Sequence, residues 1–239
     1  FYELVSEKFR KQIVDHYKAE CRVCGRKDLK EVLSFGMSPL ANNLLKDKNE
    51  EENLYPLELN FCPNCCNCQL SFTVPAAQMF DDYLYVSSTN QTFRDHFSTM
   101  ADRFIQEFDL NQESFVLDIG SNDGVFLSPL KKNGIKVLGV EPAENLVNLA
   151  NSNGLETFHG YFDDKITDEI IASKGRADIV TAFNVFAHAD DLKSIAKNVF
   201  KVLKNSGIFI IEVQYLLDTI KDLTFDNIYH EHVNYWSVH

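Results

Sequence analysis

Six cysteines lie before residue 69 and none after it. Cys21 and Cys24 form one C-x-x-C pair, Cys62 and Cys65 a second, and Cys66 and Cys68 follow at once. An even count suits disulfides, but two C-x-x-C knuckles separated by a long loop read better as a tetrahedral Zn2+ site. A two-residue spacer lets both thiolates of a knuckle face one ion at about 2.3 Å, and two knuckles complete four ligands. Such a closed site leaves no position for a substrate, so the metal reads as structural. Cys66 and Cys68 leave the ligand choice open, although adjacent side chains point apart and Cys65 and Cys66 are not expected to share one ion. The surplus thiols read as free, buried or idle, which suits a reducing cytosol; a redox pair is the alternative.

A second group with chemical potential is the turn Gly120-Ser121-Asn122-Asp123-Gly124, directly after the apolar run FVLDI (115–119). Glycine at both ends lets the backbone approach a ligand at the carboxyl edge of a sheet, where open α/β folds bind. The spacing is G-x-x-x-G, not the G-x-G-x-x-G of the dinucleotide fingerprint. Glu141 ends the next apolar run, where a carboxylate accepts both ribose hydroxyls of an adenosine-containing cofactor. Asp118 sits just before the turn and could face a cationic group. The plain alternative is a glycine-bearing turn with a surface glutamate. A third group is Tyr229-His230-Glu231-His232-Val233-Asn234-Tyr235-Trp236. H-x-H suggests a metal, but a helical H-E-x-x-H is absent and no further ligand is obvious, so a general base with polar helpers is the more economical reading. AFNVFAH (182–188) adds Asn184 and His188, expected near the same sheet edge.

These groups need elements to hold them. Strands are expected over 115–119, 136–140, 155–159, 177–183 and 207–213, with helices over 125–133, 143–153 and 190–204. Strands alternating with helices imply parallel βαβ units and a doubly wound sheet. Before them, Val5, Phe9, Ile13 and Tyr17 form one helical stripe, and KDKNEEEN (46–53) reads as a solvated loop. The segment between the knuckles is short and polar, too poor in apolar residues for a deep core, so a structural zinc stabilises that lobe by on the order of 10 kcal/mol or more.

The whole-chain numbers agree. Of 239 residues, 45% are hydrophobic and 24% charged, and 23 Lys+Arg against 35 Asp+Glu give a net charge of −12. Full disorder is excluded. The acidic balance argues against a nucleic-acid or anionic-membrane partner, and no apolar run is long enough for a membrane-spanning helix. The first twenty residues lack the apolar stretch of a signal peptide, which with the thiols suggests a cytoplasmic protein.

The sequence resembles S-adenosylmethionine (SAM)-dependent sugar C-methyltransferases, which act on nucleotide-linked keto-deoxysugars. The likeness runs in order through CRVCG, MSPLANNLL, YPLELNFCPNCCNCQL, DDYLYVSSTNQTFRDHF, VLDIGSNDGVFL, NVFAHADDL and FDNIYHEHVNYWS. It implies an α/β protein: a small zinc-binding domain over 1–80, then a Rossmann-like class I SAM methyltransferase sheet over 81–239. It implies that Cys21, Cys24, Cys62 and Cys65 hold structural zinc. Asp118, Gly120, Ser121, Asn122, Gly124, Glu141, Pro142 and Asn184 would hold SAM, with Phe162 lining the adenine pocket. His232 would be the general base and Glu231 a contact to the substrate sugar. Tyr83, His188 and Tyr229 would be polar groups around the reacting carbon. The substrate would be a nucleotide-sugar.

The chemistry asks for such a cast. Methylating carbon beside a ketone requires an enolate, and the gap between that carbon acid and an imidazole is about 12 pK units, or ~17 kcal/mol. A base alone cannot close it, so donors must stabilise the enolate oxygen as charge develops. Methylating oxygen needs less proton chemistry, so an O- or N-methyltransferase of the same fold is the nearest rival. A non-catalytic zinc and SAM module and a nicotinamide-dependent oxidoreductase are the others. Family members run longer, adding two further strands and a second α/β lobe. The chain starts at Phe1 and stops at His239, which reads as a fragment whose sheet ends after the fifth strand with an exposed edge.

Overall fold

The computed structural model describes residues 16–45, 47, 49–80 and 83–238. Of the expected helical stripe, Val5, Phe9 and Ile13 lie outside the described residues, and Tyr17 forms an isolated antiparallel bridge with Phe72 in place of a helical turn. In chain order the strands are β1 (Lys30–Pro39), β2 (Leu54–Phe61), β3 (Cys68–Leu70), β4 (Phe115–Ile119), β5 (Lys136–Glu141), β6 (Thr157–His159), β7 (Ala177–Phe183), β8 (Leu203–Glu212) and β9 (Asn234–Tyr235). The α-helices are α1 (Ala77–Phe80), α2 (Gln91–Glu107), α3 (Leu127–Lys132), α4 (Glu144–Ser152), α5 (Asp164–Lys174), α6 (Leu192–Val202) and α7 (Leu216–Lys221). Two compact units result. The first comprises 1–79, 187–190 and 214–239; the second comprises 80–186 and 191–213. The division expected from sequence assigns 187–190 and 214–239 to the second domain, whereas in space these residues pack with the first.

The first unit is built on an antiparallel sheet in the order β1-β2-β3-β9. Its last strand comes from the far end of the chain: Cys68 pairs with Tyr235 and Gln69 with Asn234. That pairing buries Leu57, Leu59 and Leu70 against Leu216, Ile228, Val233 and Tyr235. The expectation that this lobe lacks a core is therefore corrected. The inter-knuckle segment supplies Leu57 and Leu59 from β2, with Leu33 of β1 packed against them, and the partners that complete the core are distant in sequence.

The second unit carries a parallel sheet in the order β6-β5-β4-β7-β8. The central β4 is buried at every residue, as expected for a parallel strand covered on both faces. β4 and β7 have the bounds expected from sequence. β6 starts two residues late, because Gly154 (φ +77°) and Leu155 are used in the turn that ends α4, where the Leu155 N–H donates to the Ala150 carbonyl at 2.9 Å. β8 starts four residues early, at Leu203, and its pairing with β7 is irregular between Leu203 and Ile208. Four helices, α1, α2, α5 and α7, lie outside those expected from sequence. In α2, Asn90 caps the N-terminus by accepting from the Thr92 N–H, and Phe97, Ala101 and Phe104 form the buried stripe. In α5, Asp163 caps in the same way through the Ile166 N–H.

Leu70 is wholly buried on β3, and its N–H donates to the Val233 carbonyl at 3.0 Å. Leu70→Ala should cost about 2–5 kcal/mol. Hydrogen exchange at Val233, Asn234 and Tyr235 should accelerate with it, because these residues lose the core that holds β9 in place. Unchanged protection there would show that β9 is held by other contacts.

Candidate active site and metal centre

The Sγ atoms of Cys21, Cys24, Cys62 and Cys65 all lie within 4.8 Å of one another. Cys21 and Cys65 are 3.5 Å apart, as are Cys24 and Cys62. Tetrahedral coordination at about 2.3 Å needs sulfurs about 3.8 Å apart, so the spacing fits Zn2+. The two knuckles are alike. The residue after the second cysteine adopts a left-handed backbone (Gly25, φ +75°; Cys66, φ +58°) and donates its N–H back to the first cysteine's carbonyl, at 2.8 and 2.9 Å. Cys66 is thus the counterpart of Gly25 at a turn corner, which accounts for a surplus thiol next to a ligand-type cysteine. The backbone N–H of Arg26 holds the Cys24 thiol down to about 6, which favours the thiolate a metal needs. Cys68 is buried in β3, and burial pushes its thiol up to about 11. No disulfide joins any of the six. Among the described residues Cys21, Cys24, Cys62 and Cys65 are the group of three or more His, Cys, Asp or Glu whose ligand atoms come together closely enough for a metal.

In the second unit the glycine-bearing turn follows β4, with Gly120, Asn122 and Gly124 all at positive φ (+64°, +51°, +80°). A Cβ on Gly120 would lie 2.5 Å from Val185 Cγ2, and one on Gly124 would overlap Leu155 Cδ1. Both positions therefore require glycine on backbone and steric grounds. Glu141, buried at the end of β5, clamps the turn. One carboxylate oxygen accepts from the Asn122 N–H at 2.9 Å, and the other from the Ala143 N–H at 3.0 Å. Asp118 is buried beneath, where desolvation pushes it up to about 7 despite the Thr181 hydroxyl donating to it at 2.6 Å. Within the chain its partner is thus a hydroxyl, not a cation.

Sequence reasoning missed the second use of Asn122. Its side-chain oxygen accepts from the Ser87 N–H at 3.0 Å and its amide donates to the Tyr85 carbonyl at 3.0 Å. Asn145 donates to the Tyr83 carbonyl at 2.9 Å. The segment 83–87 is thereby strapped to the turn and to α4. Asn184 (φ +57°) donates its N–H to the Glu212 carbonyl at 2.8 Å. The Pro142 carbonyl accepts from His159, and Phe162 is buried. Ser121 Oγ and Asp123 Oδ1 are buried without a protein partner. A turn with spare polar atoms, close backbone approach and a carboxylate at the end of the adjacent strand fits a polar adenosyl cofactor.

The first unit gathers the histidines. His232 is buried, and its Nδ1 lies 2.9 Å from the Asn227 carbonyl. A carbonyl only accepts, so Nδ1 carries the proton and Nε2 keeps its lone pair. That Nε2 lies 3.1 Å from the Tyr229 hydroxyl and 3.5 Å from the Gln214 amide nitrogen. The His188 ring packs edge-on against His232 at 5.0 Å between centroids, and the Tyr229 ring lies at 4.3 Å. The buried Glu231 carboxylate accepts from the Asn42 amide at 2.6 Å, a contact the sequence did not disclose. His230, in contrast, is packed against Tyr55. So His188, Tyr229, Glu231 and His232 share the first unit, whereas Tyr83 and Asn184 belong to the second.

Two outcomes follow from this geometry. Burial lowers the basicity of both His230 and His232. The unfolded chain takes up these protons near the ordinary value of about 6.5. The stability gained by burying neutral rings is therefore complete above that pH and is lost as pH falls through the lower folded values. Denaturant midpoints should drop between about pH 7 and pH 5, and His230→Phe should flatten part of that slope; an unaltered slope would contradict the burial argument. Separately, Cys62→Ser should abolish stoichiometric zinc, read by elemental analysis, whereas Cys66→Gly should retain it.

A family profile described as "Methyltransferase domain" matches residues 92–239, and one described as "Putative zinc binding domain" matches 21–80. The C-methyltransferase NovU of Streptomyces niveus is 36% identical over 221 residues, covering 92% of this chain and 53% of that protein. The chain thus spans about half the length of that relative. A ubiquinone biosynthesis O-methyltransferase of Bradyrhizobium diazoefficiens is 32% identical over 97 residues, 40% of this chain and 38% of that protein. A solved SAM-dependent methyltransferase from Archaeoglobus fulgidus is 17% identical with a TM-score of 0.44, covering 60% of this chain and 63% of its own. No helix among the described residues is long and apolar enough to cross a membrane. The chain belongs to the methyltransferase-domain family, and its N-terminal side matches the putative zinc-binding domain.

Proposed function

We propose that this chain is the donor-binding and base-bearing part of a C-methyltransferase that methylates the α-carbon of a nucleotide-linked keto-deoxysugar through an enolate. The observation that carries the reading is the fixed tautomer of His232, with Nδ1 donating to the Asn227 carbonyl and Nε2 left as a buried, uncharged base beside Tyr229. Methylating an oxygen needs less proton chemistry than methylating a carbon, so this cluster is better matched to carbon. The NovU match also covers 92% of the chain, whereas the O-methyltransferase match covers only 40% of it.

In this reading His232 Nε2 takes the α-proton. Burial favours the reaction in one respect and opposes it in another. It keeps the imidazole neutral and ready, but it also lowers its affinity for the proton. The enolate oxygen therefore needs donors, and in this reading Tyr229 and His188, whose rings lie beside His232, supply them. Glu231, held by Asn42, binds sugar hydroxyls, and Tyr83 is a further polar contact. SAM, when bound, supplies an electrophilic methyl group on a sulfonium. Gly120, Ser121, Asn122 and Gly124 form its cradle. Glu141 takes the ribose hydroxyls, Asp118 supports the turn from below, and Pro142, Phe162 and Asn184 complete the lining. Cys21, Cys24, Cys62 and Cys65 hold zinc in a structural role.

Mass spectrometry of candidate nucleotide-linked keto-sugars in D2O provides the test. A protein carrying this chain should wash deuterium into the α-carbon without SAM, and His232→Asn should slow this by roughly 10²–10⁴-fold. Tyr229→Phe should slow it less. Wash-in that persists undiminished in His232→Asn would remove the base assignment. Methyl transfer to oxygen without wash-in would favour the rival activity.

A further inference from the structure

Arg22 lies between the two cysteines of the first knuckle, yet its side chain is only 2% exposed. Its Nε donates to Asp190 Oδ1 at 2.9 Å, its Nη1 to the Leu70 carbonyl at 2.8 Å and its Nη2 to the Thr73 hydroxyl at 2.6 Å. Asp190 is gripped further by Lys18 Nζ at 2.5 Å and the Thr73 hydroxyl at 3.0 Å. Asp190 is two residues from His188. The rest of that short segment is tied to the residues directly after His232. The Ala187 carbonyl accepts from the N–H groups of Val233 and Asn234 at 2.7 and 3.1 Å, and the Ala189 carbonyl accepts from the Asn234 amide at 2.7 Å.

We propose that Arg22 is a positioning residue for the base cluster: through Asp190 it fixes the 187–190 segment, and with it the placement of the His188 ring against His232. Every link lies within the first unit and has a stated distance. Burying a guanidinium costs solvation that its pairing roughly returns, so a buried pair of this kind is a weak source of net stability. What it supplies is geometry. Three guanidinium nitrogens donate to a carboxylate, a backbone carbonyl and a threonine hydroxyl, leaving the segment little freedom to shift. The first knuckle thereby also sets the spacing of the two imidazoles, and a base and a donor acting on one substrate depend steeply on their relative placement. The inference deepens the function proposed above and rests on it only for the kinetic readout.

The test uses Asp190→Asn, which keeps size and loses charge, alongside Arg22→Met and Arg22→Lys. Histidine NMR should show the imidazole signals of His188 and His232 moving in Asp190→Asn and Arg22→Met, while the signals of exposed His159 stay in place. Deuterium wash-in should fall on the order of 10- to 100-fold with zinc content and SAM affinity unchanged, and Arg22→Lys should recover part of it. Unmoved histidine signals would overturn the proposal. So would a loss of wash-in that merely follows loss of zinc, because the clamp would then only hold the lobe together. If the unaltered protein shows no wash-in with any keto-sugar, the proposed reaction is at fault, and the NMR comparison still decides the positioning role.

Discussion

The antiparallel pairing of Cys68 and Gln69 with Tyr235 and Asn234 joins two ends of the sequence that have no local reason to meet. Without it β3 would be an edge, Leu70 would lack Val233 and Tyr235 as neighbours, and the histidine segment would have no anchor. Two residue pairs are a short ladder. It is reinforced by a buried amide network in which the Arg22 N–H donates to the Gln69 side chain at 2.8 Å and Gln69 donates to the Glu20 carbonyl at 3.0 Å. The entropy of closing so long a loop grows only slowly with length. A few well-satisfied buried bonds and one small apolar core are therefore enough to hold the closure.

The metal centre and the base cluster consequently share one sheet. Four thiolates fix the knuckles; the first knuckle carries Arg22, and the second leads directly into β3. Left-handed backbone at Gly25 and Cys66 lets the chain reverse within four residues and bring two sulfurs to one ion. The presence of cysteine at the second of these corners shows that the backbone tolerates a side chain there at a modest cost.

The second unit solves a different problem. Its sheet is a conventional parallel stack, and its distinctive demand falls on five residues after β4. Glycine at either end lets the turn lie against Val185 and Leu155, and Glu141 holds its middle through a backbone N–H. Burying Glu141 and Asp118 close together raises both carboxyl groups. The unit accepts that penalty at the place where a cofactor's polar groups would be met.

How much of this the sequence disclosed depends on the range of the interaction. The bounds of β4 and β7 followed from local apolar runs between turn residues. The cysteine spacing led to a four-sulfur cluster because two-residue spacers constrain geometry by themselves. The turn from Gly120 to Gly124 was visible because left-handed backbone selects glycine. In contrast, α2 and α5 were overlooked although their Asn90 and Asp163 caps were on view, since each precedes a polar stretch whose buried stripe is sparse. No local signal placed residues 214–239 with the first unit, supplied a core for the cysteine lobe, or paired Asn42 with Glu231 and Arg22 with Asp190. The protonated nitrogen of His232 was equally out of reach, because it depends on a carbonyl that folding brings within 2.9 Å. Residue type determined which chemistry was possible; which atom performs it was decided by contacts between segments that only the tertiary structure joins.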